Sequence, residues 1–337
     1  MFSKTASLMK WHVEEHRDDG TFRHPADSQA WKEFDKQNPS FASDVRNVRL
    51  GLAADGFNPY GRMSVAHSTW PVVHIVYNLP PWLCMKQCFL FLSMLIDGPK
   101  GPGNKIDVYL QPLIEELKEL FSIGLQTYDA STGEMFSLKA ALLWTISDFP
   151  AYAMLSGWST RVGKACPGCA GDTKSCWMKH GRKFFYIGHR RFLHKSDRMR
   201  KDKISFDGKM EWGEAPKLLS VMEMLQQLDG VLTEYKKENL KKRRTELFDH
   251  DKHQFWKEKG ISFELPYWAT NLVPHNLDIM HIEGNCCDSL LSTIMGLVGK
   301  SKDNLNSRRD LEELGIRKPL HPIRKGSSLV LPPSSFT

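Results

Sequence analysis

The chain lacks the sequence features of a secreted or membrane-embedded protein. Its longest apolar stretch, Cys88 to Ile96, is far too short to cross a bilayer. Met1 to Glu15 is polar and mixed in charge, so we expect no signal peptide. Seven cysteines are present, an odd number, and four of them form the local pairs Cys166/Cys169 and Cys286/Cys287. A secreted disulfide framework is therefore not expected, and a reducing compartment fits better.

What is present is an ordinary globular composition with concentrated positive charge. The 337 residues suffice for two domains, or for one large domain that carries an insertion. The fractions of hydrophobic residues, 41%, and charged residues, 25%, are typical of soluble proteins. The net charge of +7 is concentrated in four clusters: Arg190-Arg191, Arg198–Lys203, Lys236-Lys237 and Lys241–Arg244. Such clusters suit a polyanion such as nucleic acid, although a solvated helix face gives the same pattern.

Apolar runs and periodicity predict an α/β fold with a mixed sheet. The runs predict strands at Val48–Ala53, Pro71–Tyr77, Gln87–Ile96 and Phe136–Ile146, and helical spacing predicts a helix at Asp107–Phe121. The order strand, strand, strand, helix, strand is the core order of the RNase H-like fold, in which the first and fourth strands are neighbours. Asp55 and Asp148 follow those two strands, so we expect the two carboxylates to lie within reach of a shared metal ion.

The rest of the chain divides by composition. Residues 1–44 form a polar amino-terminal segment, and residues 45–158 form the first part of the RNase H-like core. Residues 159–215 read as a basic insertion rich in Cys and His. Residues 216–316 read as a helical region, with helices predicted at Leu218–Glu246 and Asn276–Leu297. Residues 317–337 lack periodicity and are predicted to be unstructured.

Paired carboxylates at strand ends are suited to divalent metal chemistry. Magnesium, or manganese in its place, prefers hard oxygen ligands, and two such ions activate a hydroxyl for attack on a phosphodiester. Taken singly, Asp55 before glycine is a turn former, and Asp148 before Phe-Pro caps a loop. The candidate for a third acid is Glu283. Asp278 and His281, three residues apart, would share a face of the helix predicted at Asn276–Leu297. A capped helix start is the alternative explanation of the same residues.

The Cys166-Pro-Gly-Cys169 motif presents two thiols in a tight turn, as a zinc knuckle does. No second CxxC follows, so the other ligands of a structural Zn²⁺ would come from Cys176, His180, His189 or His194, as a Cys2His2 or a Cys3His set. A plain cysteine-lined turn and a redox pair are the alternatives, but the redox pair lacks its usual strand-to-helix context.

A nearby stretch, Tyr186 to Leu193, interleaves aromatic and basic residues. Arg190 and Arg191 could grip phosphates there while Tyr186 or Phe192 stacks on a base or packs inward. A second group of basic residues predicted to contact DNA comprises Lys241, Lys242, Arg243 and Arg244.

Several longer segments resemble the transposase of CACTA-type (En/Spm) plant DNA transposons. They are Arg49–Pro59, Ser68–Val73, Tyr77–Trp82, Asp107–Leu113, Asp148–Ala151, Leu155–Trp158, Gly188–Leu193 and His275–Asn285. The resemblance runs from about Trp11 to Ile316 in the family's order. It implies a DDE/D transposase with an RNase H-like core that binds transposon ends, cuts them and joins them to target DNA with magnesium.

The resemblance also assigns residues and leaves departures. Asp55 and Asp148 match the family's first two acids, Cys166 and Cys169 match its CxxC, and His189 matches a nearby histidine. Pro274 and Gly284 stand where the family usually has Arg and Lys. Family members continue beyond the end of this chain, so we expect a truncated member whose third acid can lie in the missing part.

A metal-dependent nuclease unrelated to transposition is one possibility, and two functions of transposon origin stay open beside it. One is a transposase, inactive if the third acid is lost, and the other is a non-catalytic DNA- or protein-binding remnant. Either implies a nuclear location with DNA as partner, both transposon terminal repeats and target, and no membrane. A homo-oligomer or an accessory transposon-encoded protein is a further expected partner.

Overall fold

The computed structural model describes residues 3–61, 66–160, 162–229, 231 and 255–333. It divides the chain into two compact units. The first unit comprises Met1–Thr160 and Leu219–Asp278, and the second comprises Arg161–Leu218 and Ile279–Thr337. The predicted insertion at 159–215 falls almost wholly in the second unit, whereas the predicted helical region at 216–316 is divided between the two. In the described part of the chain, no helix combines the length and apolarity needed to span a bilayer.

The first unit contains both helices and strands, and hairpins and helices make up the second. The helices are α1 (Ser3–Leu8), α2 (Trp11–Glu14), α3 (Gln29–Gln37), α4 (Pro39–Ala42), α5 (Pro81–Cys84), α6 (Ile106–Ser122), α7 (Phe149–Ser156), α8 (Arg198–Lys201), α9 (Val221–Gln227), α10 (Ile279–Ile294) and α11 (Leu305–Glu313). The strands are β1 (Val48–Ala54), β2 (Trp70–Val76), β3 (Leu90–Ile96), β4 (Leu125–Asp129), β5 (Glu134–Leu138), β6 (Ala140–Ser147), β7 (Lys174–Met178), β8 (Lys183–Ile187), β9 (His275–Leu277), β10 (Ile323–Lys325) and β11 (Ser328–Val330).

A five-stranded mixed sheet forms the centre of the first unit, in the order β3-β2-β1-β6-β9. β2 runs antiparallel to both of its neighbours, while β1, β6 and β9 are parallel to one another. The α/β class and the mixed sheet predicted from the sequence are confirmed, and the first and fourth predicted strands are indeed neighbours. All three parallel strands therefore end at the same edge of the sheet.

The apolar core of the first unit is built from the sheet and the helices that cover it. α6 buries Ile106, Leu110, Ile114 and Leu117, which recur at helical spacing. β6 is buried at seven of its eight positions and reads Ala-Ala-Leu-Leu-Trp-Thr-Ile-Ser, as expected of a strand covered on both faces. Each fully buried aliphatic side chain stabilises the fold by about 1.5–3 kcal/mol. The core thus fixes the strands whose ends carry the candidate acids.

The amino-terminal segment is more ordered than its polar composition predicts. α3 begins at Ser28, whose hydroxyl accepts a hydrogen bond from the Trp31 backbone N–H. The helix buries Trp31 and Phe34 in the core. The few large aromatic residues supply most of the buried area, so a polar segment still packs against the sheet.

Other element predictions need correction. The predicted strand Phe136–Ile146 is divided into β5, which forms a hairpin with β4, and β6. The predicted helix Asn276–Leu297 begins only at Ile279, because β9 occupies His275–Leu277 and pairs with β6. Asp278 therefore lies before the helix and does not share its face with His281.

Two further predictions, the helix at Leu218–Glu246 and the unstructured tail at 317–337, also differ from the structure. Part of the predicted helix Leu218–Glu246 is observed as α9, Val221–Gln227, and its residues 230 and 232–246 lie outside the described ones. The tail predicted to be unstructured contains the hairpin β10–β11. Its strands are three residues long and exposed at every position, so burial periodicity gave no signal for them.

Candidate metal centre at the edge of the sheet

The strand register aligns Asp55 with Asp148. β1 pairs with β6 in parallel, and the register shifts by one residue partway along, so that Ala53 lies opposite Ile146. Continued two residues beyond this last pair, the same register would set Asp55 opposite Asp148. Without the shift Asp55 would be opposite Ser147, and alternate residues of a strand point to opposite faces. The register shift therefore affects which side chains lie on the same face at this edge of the sheet.

Three residues account for the register shift. Gly51 stands at the shift, opposite Trp144. A Cβ atom added to Gly51 would overlap the ring of Tyr77, so only glycine fits there. The Tyr77 hydroxyl accepts a hydrogen bond from Trp144 Nε1 at 3.2 Å, and burial raises the pKa of Tyr77 to about 12. These packed rings hold the two strands in the shifted register.

A third aspartate, Asp278, continues the same row. β9 pairs with β6 through Ser147 and Leu277, and the next residues along are Asp148 and Asp278. The backbone N–H of Asp278 donates to the Ser147 carbonyl oxygen at 2.8 Å, which fixes Asp278 beside the end of β6. Neighbouring strands lie about 4.8 Å apart. Three carboxylates therefore follow the ends of three adjacent parallel strands.

Backbone contacts orient the first two carboxylates. Asp148 is the N-cap residue of α7, and its Oδ1 accepts a hydrogen bond from the Ala151 N–H at 2.8 Å. Asp55 is exposed, and its Oδ1 accepts from the Gly56 N–H at 2.7 Å. The alternatives given by the sequence, a turn former for Asp55 and a cap for Asp148, thus describe these local contacts correctly. Each contact uses one oxygen of its carboxylate.

The chain just past Asp55 is tied back to the sheet. Phe57 and Thr69 exchange backbone hydrogen bonds of 3.0 and 2.9 Å. The Trp70 indole covers Gly56 so closely that a Cβ atom there would overlap it. The loop that follows β1 therefore begins from a fixed point, which limits the directions open to the Asp55 side chain.

A fourth aspartate at this edge is already paired. β3 runs in the same direction as β1 and ends before Asp97. Asp97 Oδ1 lies 2.6 Å from His67 Nε2 and accepts a hydrogen bond from the Thr69 hydroxyl at 3.1 Å. The hydrogen bond from His67, followed by that from Thr69, lowers the pKa of Asp97. Asp97 is thus held by its own neighbours, separated from Asp55 by β2.

Ligand atoms at the edge are aligned but not gathered. Among the described residues, only His180, Asp310 and Glu313 bring three potential ligand atoms within 4.8 Å of one another. Asp55, Asp148 and Asp278 do not meet that criterion. Binding of one ion by all three would therefore require rotation of their side chains. Asp55 is exposed, and Asp148 and Asp278 are half-exposed.

The structure brings the two cysteines of the CxxC motif together. The Cys169 N–H donates to Cys166 Sγ at 3.3 Å, as in a tight turn around the two thiols. Burial and the hydrogen bond with Cys166 raise the pKa of Cys169, and the nearby Arg191 guanidinium opposes that shift. Two sulfur ligands are therefore adjacent and half-exposed.

The predicted histidine ligands lie in different surroundings. His180 is at the turn between β7 and β8, with Nε2 3.9 Å from Glu313, and Asp310 accepts the backbone N–H groups of His180 and Gly181. His189 packs its ring 6.0 Å from Phe206. The structure thus does not gather Cys166, Cys169, His180 and His189 within 4.8 Å as one ligand set.

Arg190 and Arg191 were predicted to grip phosphates, but both are buried. The Arg190 guanidinium donates to the carbonyl oxygens of Asp202 and Lys209 and lies 2.9 Å from the Asp207 carboxylate. Arg191 donates to the Asp172 carbonyl oxygen at 2.8 Å. Each is only 6% exposed. Their contacts hold loops of the second unit together, which does not support the predicted phosphate contact.

The remaining predicted residues fall elsewhere. Glu283 is an exposed residue of α10, in the second unit, whereas Asp55 and Asp148 belong to the first. Lys241, Lys242, Arg243 and Arg244 lie outside the described residues.

Comparison with known families identifies a transposase family. The transposase family tnp2 matches residues 19–231, which is well over half of the chain. The chain belongs to the tnp2 transposase family. No curated protein matches it.

The tnp2 match covers only part of the acidic row. Residues 19–231 include Asp55, Asp148 and the CxxC motif, as well as both strands of the hairpin β7–β8. Asp278 and Glu283 lie beyond the matched residues. The matched residues thus include two of the candidate carboxylates, Asp55 and Asp148, and neither candidate for the third.

Sequence reasoning missed Asp278 as a member of the row. The run Asn276–Leu297 was assigned wholly to a helix, so Asp278 was placed inside the helix start. A signal against a helix that begins here is Pro274, since the residue before a proline is biased toward extended backbone. A three-residue strand is too short for periodicity to detect.

Proposed function

We propose that this protein is a DDE/D-type transposase of the CACTA (En/Spm) kind, with an RNase H-like core in its first unit. Its substrate would be DNA at transposon terminal repeats, together with target DNA, in the nucleus. The observation that carries the proposal is the register of Asp55 and Asp148 at the ends of adjacent parallel strands. The sheet order β3-β2-β1-β6-β9, with only β2 reversed, supports the RNase H-like assignment.

The residues of the edge fit a Mg²⁺ or Mn²⁺ site. Carboxylate oxygens are the ligands that these ions prefer. Bound there, the ions would activate a water or a 3′-hydroxyl and stabilise the leaving oxygen. Asp55 and Asp148 would hold them, and the cap contact of Asp148 with Ala151 would fix which oxygen faces the cation. Gly56, covered by Trp70, leaves the backbone beside Asp55 free of a side chain.

The third carboxylate is proposed to be Asp278 in preference to Glu283. Asp278 occupies the next strand end in the row and is anchored by its N–H to Ser147. Glu283 belongs to the other unit and remains the alternative suggested by the sequence.

A structural Zn²⁺ held by Cys166 and Cys169 remains part of the proposal. Two adjacent thiols are the usual start of such a site. His180 and His189, with Cys176 as a substitute, are the proposed further ligands, and they would have to move toward the thiols. Metal analysis of purified protein should find close to one zinc per chain, and its loss in Cys166→Ser would identify the thiols as ligands.

The test of the main proposal compares carboxylates of one edge. Asp55→Asn, Asp148→Asn and Asp278→Asn should each abolish Mn²⁺-dependent cleavage of a terminal-repeat duplex, because an amide is a poor substitute for a bridging carboxylate. Asp97→Asn is the matched control, since Asp97 lies at the same edge but is paired with His67. Mn²⁺ binding measured by calorimetry should weaken in the same three variants.

The outcomes separate the alternatives. Cleavage that persists in Asp55→Asn or Asp148→Asn would remove these residues from the site. Loss of cleavage in Glu283→Gln but not in Asp278→Asn would transfer the third role to Glu283. Sequence-specific DNA binding without any cleavage or Mn²⁺ binding by the wild-type chain would instead favour the non-catalytic DNA-binding remnant.

A further inference from the structure

The second unit contains a cavity of about 670 Å³. One wall is a single face of the hairpin β7–β8, on which Lys174 pairs with Ile187 and Cys176 pairs with Phe185. The opposite wall consists of apolar residues at and after the end of α11, and Phe206 belongs to the loop that completes the lining. The residues of the α11 wall are Leu311, Leu314, Ile316 and Leu320. Ligand cavities typically measure about 300–1,000 Å³, so this one is of a useful size.

Aromatic and aliphatic surface in the cavity is left open. Phe185 and Ile187 are 44% and 41% exposed, although both lie on a strand. Phe206 is half-buried, with the Arg190 guanidinium 4.2 Å from its ring centroid and the His189 ring centroid at 6.0 Å. Flat apolar surface that is fixed but not covered suits a flat, stackable ligand.

Positive charge surrounds this apolar surface. Lys174, Lys209 and Arg317 line the cavity. Among the described residues, no carboxylate lies within 4.0 Å of any of these three cations. The cavity therefore combines an apolar interior with three cations that lack an acidic partner there.

The two acids in the lining are already engaged. Asp207 is paired with Arg190 at 2.9 Å and also accepts the Lys209 N–H. Glu211 accepts the Gly213 N–H at 2.8 Å. Their charge is thus directed toward neighbouring protein groups, and the surplus around the cavity is positive.

We propose that this cavity binds one or two unpaired nucleotides of single-stranded DNA. Bases would stack against Phe185 and Phe206, and phosphates would contact Lys174, Lys209 and Arg317. Base–aromatic stacking combined with backbone cations is the general mode of single-strand binding. A base must leave its duplex to enter such a cavity, so strands opened at a cut end are the expected source. This inference rests on the proposed function for its source of DNA, but not on the acidic edge.

Binding can be tested without cleavage and without removing the structural Zn²⁺ proposed above. The full chain is titrated into a fluorescent oligothymidine, and into a blunt duplex of the same length, with no Mg²⁺ or Mn²⁺ added. The single strand should bind more tightly than the duplex. Phe185→Ala should weaken single-strand binding roughly tenfold, in line with the loss of one stacked base. Lys209→Gln should reduce the slope of log K against log salt by about 0.7, the share of one phosphate contact on a single strand.

Matched controls lie on the same elements. Trp177 is 53% exposed on β7 but faces away from the cavity, since Cys176 beside it lines the wall. Trp177→Ala should leave the affinity for oligothymidine unchanged. Lys201→Gln removes an exposed positive charge of α8 that does not line the cavity, and should leave the salt slope unchanged.

Cys176 provides a readout located in the cavity itself. Its thiol lines the cavity, while the exposed Cys88 belongs to the first unit. Bound oligothymidine should slow the alkylation of Cys176 and leave that of Cys88 unchanged. Mass spectrometry measures both alkylation rates. Equal affinity of Phe185→Ala and wild type, or no protection of Cys176, would overturn the proposal. Because Asp55→Asn should leave both readouts unchanged, failure of the catalytic proposal is distinguishable from failure of this one.

Discussion

The two units of the molecule bury different kinds of side chain. The first unit has a large apolar core that includes Trp268, Phe34 and Leu142. In the described part of the second unit the buried apolar residues are small in number, Ala165, Ala170 and Met178, whereas four buried residues are arginines: Arg190, Arg191, Arg200 and Arg308. Apolar burial is non-directional and tolerates exchange of similar side chains. A buried guanidinium depends on the geometry of every acceptor around it.

The arginine-held unit should be the more fragile one toward single substitutions. Arg190 donates to several carbonyl oxygens and pairs with the exposed Asp207, so Arg190→Met removes all of these hydrogen bonds at once. We expect a loss of about 1.5–3 kcal/mol in the free energy of unfolding of the second unit, the range for hydrogen bonds that involve a charged group. Hydrogen exchange of peptides from 183–213 measures the loss.

The control for this prediction is Arg198, an exposed residue of α8, since Arg198→Met removes equal charge but no buried hydrogen bonds. Unchanged protection in Arg190→Met would show that the guanidinium network contributes little. The contrast between the two units would then rest on apolar area alone.

We expect the stability of the first unit to respond most strongly to substitutions where the backbone is closely packed, rather than to changes in the volume of core side chains. Gly51→Val forces a side chain into the ring of Tyr77 at the register shift. Overpacking of this kind costs about 1–3 kcal/mol. We also expect the β1–β6 register to change, which would misalign Asp55 and Asp148 and weaken Mn²⁺ binding in calorimetry.

Tyr77→Phe separates the two effects of that change. It keeps the ring in place but removes the hydrogen bond with Trp144, at a cost of about 1 kcal/mol. Mn²⁺ affinity should therefore stay near wild type in Tyr77→Phe. Equal loss of Mn²⁺ binding in both variants would show that general stability, and not register, controls the edge.

The same contrast explains what the sequence could predict. Apolar runs predicted β1, β2 and α6 to within a residue at most ends, because burial in the first unit imposes regular periods. Asp55 and Asp148 were found because they end such runs. The register shift depends on contacts of Gly51 with Tyr77, far apart in sequence, and no local pattern reports it. In the second unit, Arg190 and Arg191 resembled a phosphate-binding pair, since charge in a sequence does not reveal that its partners are backbone carbonyls.

Acid offers the last test, because it acts on neutral histidines and not on guanidinium groups. Burial lowers the pKa of His12, His24 and His74 to about 4, and that of His275 to about 3. All four belong to the first unit. His275 donates or accepts only through Nδ1, 2.8 Å from the Thr145 hydroxyl, while its enclosed Nε2 has no hydrogen-bond partner among the described residues.

The sign of the effect follows from these depressed values. Between about pH 6.5 and pH 4 the unfolded chain binds protons that the folded histidines do not, so stability is complete above about pH 6.5 and is lost as the pH falls. At about pH 5 each histidine contributes a loss of up to about 2 kcal/mol. Arginine stays charged over this range, so acid should weaken the first unit first.

Urea unfolding followed by tryptophan fluorescence reports mainly on the first unit, since only Trp177 and Trp212 of the ten tryptophans belong to the second. The midpoint should fall between about pH 7 and pH 5, and His275→Gln should show a smaller fall than wild type because one proton-binding difference is removed. His194→Gln, an exposed histidine of the second unit, is the matched control. A midpoint that is independent of pH would contradict the assignment of buried neutral histidines to the first unit, and with it the contrast between the histidines buried there and the arginines buried in the second unit.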